Sequence, residues 1–281
     1  MALTKTLELN DRSVNYLDQG QGIPLLLVHG FPLDHSMWQH QIDFFQSKCR
    51  VICPDLPGFG SSQPLTDAVS GQTNSGDDAA VSMESLADWL VDFLDAIDCK
   101  APVNFCGLSM GGYIGWQFWR RHTDRLRSMI ACNTRAAADD ELTRRARLMA
   151  AAQVRVSGAK PVADAMVNKL FYLADDPNPL DVDYVANVHQ TILTTETNSI
   201  AAGQIGMSQR IDATPWLSEI ELPMLFVVGE FDQITLPAEM QSNADAVAEA
   251  RFEVISAAGH LTPLEQPAAF NAAVGRFLSL G

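Results

Sequence analysis

The sequence is short of several things, and each shortage excludes a class of protein. Positive charge is scarce: 19 Lys and Arg stand against 34 Asp and Glu, a net charge of −15 over 281 residues. Such a chain repels phosphate backbones and the anionic face of a membrane, so neither nucleic acid nor a membrane is an expected partner. Cysteine is sparse and odd in number, at positions 49, 53, 99, 106 and 132. Cys53, Cys106 and Cys132 lie inside apolar runs, and the set reads as reduced core residues rather than a disulfide frame. Cys49 and Cys53 have no second Cys pair or His cluster to complete a metal site, so no metal is expected. No window reaches about 18 uninterrupted apolar residues, the length that crosses a bilayer. The N-terminal residues alternate apolar and polar types and lack the apolar core of a signal peptide, which makes a cytoplasmic protein the expectation. There is no internal repeat. The one low-complexity tract, 67–80, is small and polar and reads as a mobile surface loop.

What is present is apolar material for a sizeable core: 47% of the residues are hydrophobic and 19% charged. Residues 3–9 and 13–17 alternate, with Asn10-Asp11 between them as a turn, which predicts an antiparallel start. From Ile23 to Val28 the pattern becomes a continuous apolar run, as in a strand covered on both faces. Similar runs recur at 51–53, 103–106, 126–132, 224–228 and 251–255, with helical segments between several of them, so the fold class is α/β with a parallel sheet. One of those helices is plain: Leu86, Leu90, Leu94 and Ile97 share a face, and Asp88, Asp92, Asp95 and Asp98 read as its solvated surface.

Between Arg135 and Arg210 the strand signal disappears. The segment is helical in character, broken at 157–158, 160–161 and 176–179, and too long for a simple crossover. It reads as a helical cap: 135–210 inserted into a core formed by 1–134 and 211–281. The basic cluster Arg144, Arg145, Arg147 and Arg155 reads as a solvated helix face, with ionic links to the acidic core as the alternative.

The sharpest local signal is Gly107-Leu108-Ser109-Met110-Gly111. It lies between the strand at 103–106 and the apolar helix that begins near Tyr113. A serine on so tight a strand-to-helix turn needs small neighbours, and the turn presents its hydroxyl at a helix N-terminus that favours developing negative charge. A second oxyanion donor is expected at the turn His29-Gly30-Phe31-Pro32, where the Phe31 N–H can face the same point as the Met110 N–H. Serine needs a base, and the base an orienting carboxylate. His35 and His40 read as surface-helix residues, His122 as a helix-end residue, His189 as part of the cap, and His29 as a structural brace. His260 follows the run 251–255 on a loop at the sheet edge. Asp232 follows 224–228 in the same way, with Glu230 as the alternative acid. Ser109, Asp232 and His260 then converge from three strand ends.

With these residues in place, the sequence closely resembles the α/β-hydrolase family over nearly its whole length. His29-Gly30-Phe31-Pro32 matches the oxyanion turn and 55–61 (Asp-Leu-Pro-Gly-Phe-Gly-Ser) the signature loop. Residues 107–111 match the nucleophile elbow, 229–232 the acid loop and Gly259-His260 the histidine loop. The resemblance implies a mostly parallel eight-stranded sheet with an antiparallel N-terminal start, flanked by helices. It also implies Ser109 as nucleophile, His260 as base and then acid, Asp232 as orienter, and Phe31 and Met110 as oxyanion donors. Phe-Pro after His-Gly and Met after the nucleophile are similar to small esterases, enol-lactone hydrolases and cofactor-free haloperoxidase or perhydrolase relatives. Ser in place of Asp at the nucleophile counts against dehalogenase and epoxide hydrolase chemistry.

The expected activity is hydrolysis of a small carboxylic ester or lactone through an acyl-serine, with no cofactor. Perhydrolysis, thioester cleavage, C–C bond hydrolysis and a low-turnover ligand receptor on the same fold are the alternatives. Arg135 is a candidate for a substrate carboxylate, with a cap anchor as its other reading. Met166, Leu170, Phe171 and Trp216 are candidates for an apolar acyl pocket, with ordinary cap core as theirs. Monomer and homodimer both remain open.

Overall fold

The computed structural model describes residues 4–65, 81–172 and 182–280; the tract 67–80 and the break at 176–179 lie outside them. Eight strands form one sheet: β1 (Lys5–Leu9), β2 (Arg12–Gln19), β3 (Pro24–Val28), β4 (Arg50–Pro54), β5 (Val103–Leu108), β6 (Leu126–Cys132), β7 (Met224–Gly229) and β8 (Arg251–Ile255). Their spatial order is β1-β2-β4-β3-β5-β6-β7-β8. The pairs β1/β2 and β2/β4 are antiparallel and every other pair is parallel. The hairpin at the start turns on Asn10 and Asp11, both at positive φ, a conformation that Asn and Asp tolerate better than most residues.

The continuous apolar runs have a direct cause. Successive side chains of a strand point to opposite faces, and helices cover both faces of this sheet. Leu26, Val28, Phe105, Met129, Ala131, Phe226 and Val228 enter one core with Leu90, Phe93, Ile114 and Phe118, from helices α2 (Met83–Ala96) and α3 (Met110–Arg121). Leu25, Leu27, Cys106, Ile130, Cys132, Leu225 and Val227 enter the other with Ile42 and Phe45, from helix α1 (Gln39–Phe45), and with Phe270 and Val274. All five cysteines are buried free thiols. Asp88 and Asp95 on α2 differ from the expectation of a plain solvated row: they pair with Arg121 and Arg125, and His122 also bonds Asp88.

Between β6 and β7 the described residues include the α-helices α4 (Glu141–Ser157), α5 (Lys160–Leu170), α6 (Val182–Thr194) and α7 (Thr197–Ser208). α7 is buried along most of its length and packs on α4. A Cβ on its Gly203 would lie 2.9 Å from the Phe31 ring, so glycine there lets the helix backbone rest on the turn after β3. The two ends of this helical segment are clamped together. Arg210, 7% exposed, sits 2.7 Å from Asp139, Arg147 reaches the same carboxylate at 2.5 Å, and Arg210 also donates to the Ala137 carbonyl. Arg144 and Arg145 pair with Glu141 on their own helix. Arg144 and Arg145 therefore belong to a local helix face, and Arg147 to the clamp on Asp139. No described helix is long and apolar enough to cross a membrane.

Removing one partner of a buried ion pair leaves the other uncompensated. Asp139→Ala is expected to lower the free energy of unfolding by about 3 kcal/mol, measured by urea denaturation.

Candidate active site

The sheet edge that carries the site is set by four adjacent parallel strands, β5 to β8. Ser109, Asn133 and Asp232 each leave the end of one of the first three, and His260 follows the fourth. Ser109 has φ 54° and ψ −112°, a conformation costly for any side chain and held here by its surroundings. A Cβ on Gly107 would overlap the Gly111 carbonyl, and one on Gly111 would overlap the Val28 carbonyl. The glycines two before and two after the serine are thus required by close backbone approach. The Ser109 N–H donates to the Cys132 carbonyl at 2.9 Å, and its carbonyl accepts from the Thr134 hydroxyl at 2.8 Å. The hydroxyl-bearing residue itself is half-buried.

The turn after β3 lies against this elbow: a Cβ on Gly30 would stand 3.5 Å from the Cβ of Ser109. Phe31 and Met110 are both buried, and Met110 opens α3. His29 is fully buried; its Nε2 accepts from the Leu56 N–H at 2.9 Å and its Nδ1 donates to the Gly30 carbonyl at 3.0 Å. Burial pushes its pKa down, in keeping with a neutral brace between two loops.

His260 and Asp232, each 2% exposed, meet at 2.8 Å through Nδ1 and Oδ2. Asp232 also accepts from Asn133 Nδ2 at 2.9 Å and from the N–H groups of Ile234 and Thr235 at 2.8 and 3.0 Å. Burial alone would raise its pKa; the charge and hydrogen bond of His260, the Asn133 amide and the Thr235 N–H outweigh it and hold the carboxyl below its ordinary value. Glu230, the alternative acid, is exposed and accepts from the Ala257 N–H instead.

Two polar residues outside any motif complete the cluster. Asn133, fully buried at φ 44°, donates to both Asp232 and the Gly259 carbonyl and accepts from the Thr262 hydroxyl at 2.6 Å. Glu265 accepts from the N–H groups of Gly259 and Leu261, on either side of His260, and of Tyr172, at the end of α5. Burial raises its pKa against the pull of those three N–H groups. The local signals for these residues, an Asn at a strand end and an acid five residues past the histidine, are too common to find them by sequence.

The remaining expectations divide. Leu170 and Phe171 are buried, and the Leu170 carbonyl accepts from the N–H of His260 at 2.9 Å, so the end of α5 supports the histidine loop. Met166 is half-buried against both cores. Trp216 does not line the site: it packs on Trp119 and Arg120 at the far end of α3, about 15 Å of helix from Ser109. Arg135 takes its anchoring role, with Nη2 on the Ile234 carbonyl at 2.5 Å and the Glu239 carboxylate at 3.3 Å. His35 is half-buried rather than free on the surface. Its Nδ1 lies 2.6 Å from the buried Asp55, whose pKa falls below the ordinary value because this pair outweighs its burial.

Among the described residues, Asp34, His35 and Asp55 are the one group with ligand atoms close enough for a metal ion, within 4.8 Å of one another. Those atoms already bond one another and neighbouring N–H groups. Beside Met110 a narrow slot is lined by Pro57, Phe59, Pro64, Leu86, Ser199 and Gly203. A larger cavity of about 550 Å³ between the helix at 39–45 and α6 touches none of Ser109, Asp232 and His260.

A family model described as alpha/beta hydrolase fold matches residues 23–267. The chain is 28% identical to 3-oxoadipate enol-lactonase 2 of Acinetobacter baylyi over 96% of its length and 94% of that protein. Among solved structures, a thermophilic esterase from Thermogutta terrifontis with malate bound is 34% identical at a TM-score of 0.89, covering 99% of this chain and 98% of that one. The enol-lactonase from Burkholderia xenovorans LB400 is 25% identical at a TM-score of 0.84, covering 98% and 100%.

Glu265→Ala would leave three N–H groups without their acceptor and should lower stability by about 3 kcal/mol in urea denaturation; Glu265→Gln, which keeps one carbonyl oxygen, should fall between it and wild type. Asp232 sets an acid limit with a defined sign. Its folded-state pKa lies below the ordinary 3.8, so the stability it contributes is complete above about pH 4 and is lost as the pH falls through the folded-state value. Acid unfolding of Asp232→Asn should lack that component of the pH slope.

Proposed function

The chain belongs to the alpha/beta hydrolase fold family, and from that premise we propose that it is a serine hydrolase cleaving a small carboxylic ester or lactone through an acyl-Ser109 intermediate. The strongest support is geometric: a strained serine turn on one strand end, and two strands away a buried carboxylate bonded to a histidine at 2.8 Å. That combination suits acyl transfer. His260 Nε2 takes the Ser109 proton as Oγ attacks the carbonyl carbon, while Asp232 keeps the other ring proton on Nδ1 and stabilises the imidazolium. The N–H groups of Phe31 and Met110 receive the oxyanion. When the tetrahedral intermediate collapses, the C–O bond breaks and His260 returns the proton to the leaving oxygen, which in a lactone stays attached to the acyl group. Water then attacks the acyl-serine, giving a proton to His260; as the bond between the acyl carbon and Ser109 Oγ breaks, His260 returns that proton to Oγ, and the acid and free Ser109 are released.

The helices at 135–210 serve as the cap, with α7 over Phe31 and Phe59 narrowing the acyl side. Relatives named as an esterase and as enol-lactonases support a small ester or lactone as substrate. Arg135 is committed to Ile234 and Glu239 in a chain of net charge −15, so neutral acyl groups are the expected substrates.

Ser109→Ala should lower kcat/KM on short p-nitrophenyl esters by about ten-thousandfold or more with an unchanged circular dichroism spectrum. Wild-type turnover by that variant would overturn the assignment. Covalent labelling of Ser109 by a fluorophosphonate without multiple-turnover cleavage of any ester or enol lactone would point to a receptor instead.

A further inference from the structure

The Gly30 carbonyl and the Phe31 N–H belong to one planar trans peptide and point in opposite directions, so whatever fixes the carbonyl also aims the N–H. That carbonyl accepts from the Leu33 N–H at 2.9 Å and from His29 Nδ1 at 3.0 Å. The buried His29 ring in turn accepts from the Leu56 N–H at 2.9 Å through Nε2. The ring is therefore a strut between the turn after β3 and the loop after β4, and the place of Leu56 sets one end of it. Leu56 follows Asp55, a fully buried carboxylate. Asp55 Oδ2 accepts from Asn15 Nδ2 at 2.7 Å and from the Ser61 N–H at 3.0 Å. Its Oδ1 accepts from the His35 N–H at 2.9 Å and lies 2.6 Å from His35 Nδ1. A carboxylate can only accept, so Nδ1 carries the proton.

We propose that His35 and Asp55 are positioning residues for the Phe31 N–H as oxyanion donor, an assignment that rests on acyl transfer at Ser109. His29 and His35 stand on either side of Phe31, and they reach consecutive residues, Leu56 and Asp55. One short piece of the loop after β4 thus holds both ends of the turn. The same loop supports the Phe31 ring, which Phe59 meets edge-on with centroids 6.0 Å apart. Asp34, the carboxylate next to His35, is taken up by the Ser36 N–H at 2.8 Å and leaves His35 to Asp55. Without the His35 side chain, Asp55 keeps its buried charge with one partner fewer, and the Leu56 N–H beside it loses its fixed place against His29. A donor serves the oxyanion only within hydrogen-bond reach of where the charge develops, so a small displacement of the Phe31 N–H costs transition-state stabilisation. The His35 side chain is 20% exposed, at a cleft also lined by Thr191 and Thr195. Replacing it therefore leaves both apolar cores intact.

Variants of the full chain test this, with activity expressed per site labelled by a fluorophosphonate at completion, so that loss of folded protein does not count as loss of rate. On short p-nitrophenyl esters His35→Ala should lower kcat/KM about tenfold to a hundredfold, as displacing an oxyanion donor does. An aryl trifluoromethyl ketone adds to Ser109 Oγ and places an oxyanion at the same N–H groups, so its inhibition constant should rise by the same factor. A merely structural role would change the number of labelled sites and leave that constant alone. His35→Asn, whose Nδ2 stands where the imidazole Nδ1 does, should recover most of the loss. His35→Gln, with its amide one bond further out, should not, and it supplies the comparison where the alanine variant does not fold. Unchanged kcat/KM per site in His35→Ala, a loss of kcat/KM with an unchanged ketone constant, or equal activity of His35→Asn and His35→Gln would each overturn the assignment. Ser109→Ala in the same assay separates the two readings. Wild-type turnover there overturns acyl transfer at Ser109 and the role of His35 with it, whereas an inactive Ser109→Ala beside an unaffected His35→Ala overturns the role of His35 alone.

Discussion

Asp232 carries a charge with almost no access to water, and such a group is tolerated only when every part of it is paired. Its partners come from separate segments: the His260 ring, the Asn133 amide, and the N–H groups of Ile234 and Thr235. Satisfying that one carboxylate therefore fixes the ends of β6 and β7 and the loop after β8 relative to one another. Asn133 is itself held by Thr262 and spans to the Gly259 carbonyl, so the histidine loop is fastened from the acid side and from its own following helix. Beside it, the serine turn keeps its strained conformation because close-packed backbone leaves no alternative.

The helices between β6 and β7 take part in the same economy of buried polar groups. The Leu170 carbonyl accepts from the N–H of His260, and Glu265 joins Tyr172 to Gly259 and Leu261. α7 rests on Phe31 through Gly203. The helices between β6 and β7 thus join the turn after β3 on one side and the histidine loop on the other, and Asp139 ties their two ends together. A substitution in these helices can alter the site without touching a substrate.

Much of this was legible beforehand. Continuous runs such as 23–28 and 224–228 identified buried strands, because a strand covered on both faces has no polar side to show. The glycines at 107 and 111 identified the elbow, because a side chain at either would collide with backbone. Between Asp232 and Glu230 the sequence left a choice, which the fold made by turning Glu230 outward to Ala257. His35 read as a surface residue because its neighbours are polar, yet Asp55, 20 residues on, draws it inward. Trp216 left two readings open, acyl pocket and ordinary core, and it lies against Trp119.

By itself the sequence determined the α/β class, the family resemblance, the place of each strand and the residues proposed for catalysis. Those rest on period, turn chemistry and close backbone approach, all of which act over a few neighbouring positions. Only the tertiary structure decided which lone polar residues support the site and where Arg135 is spent. Asn133 and Asp232 stand 99 residues apart, and Tyr172 and Glu265 93. Nothing local marks such pairs; they become partners because packing removes both from water at the same point, and an unpaired polar group there is costly.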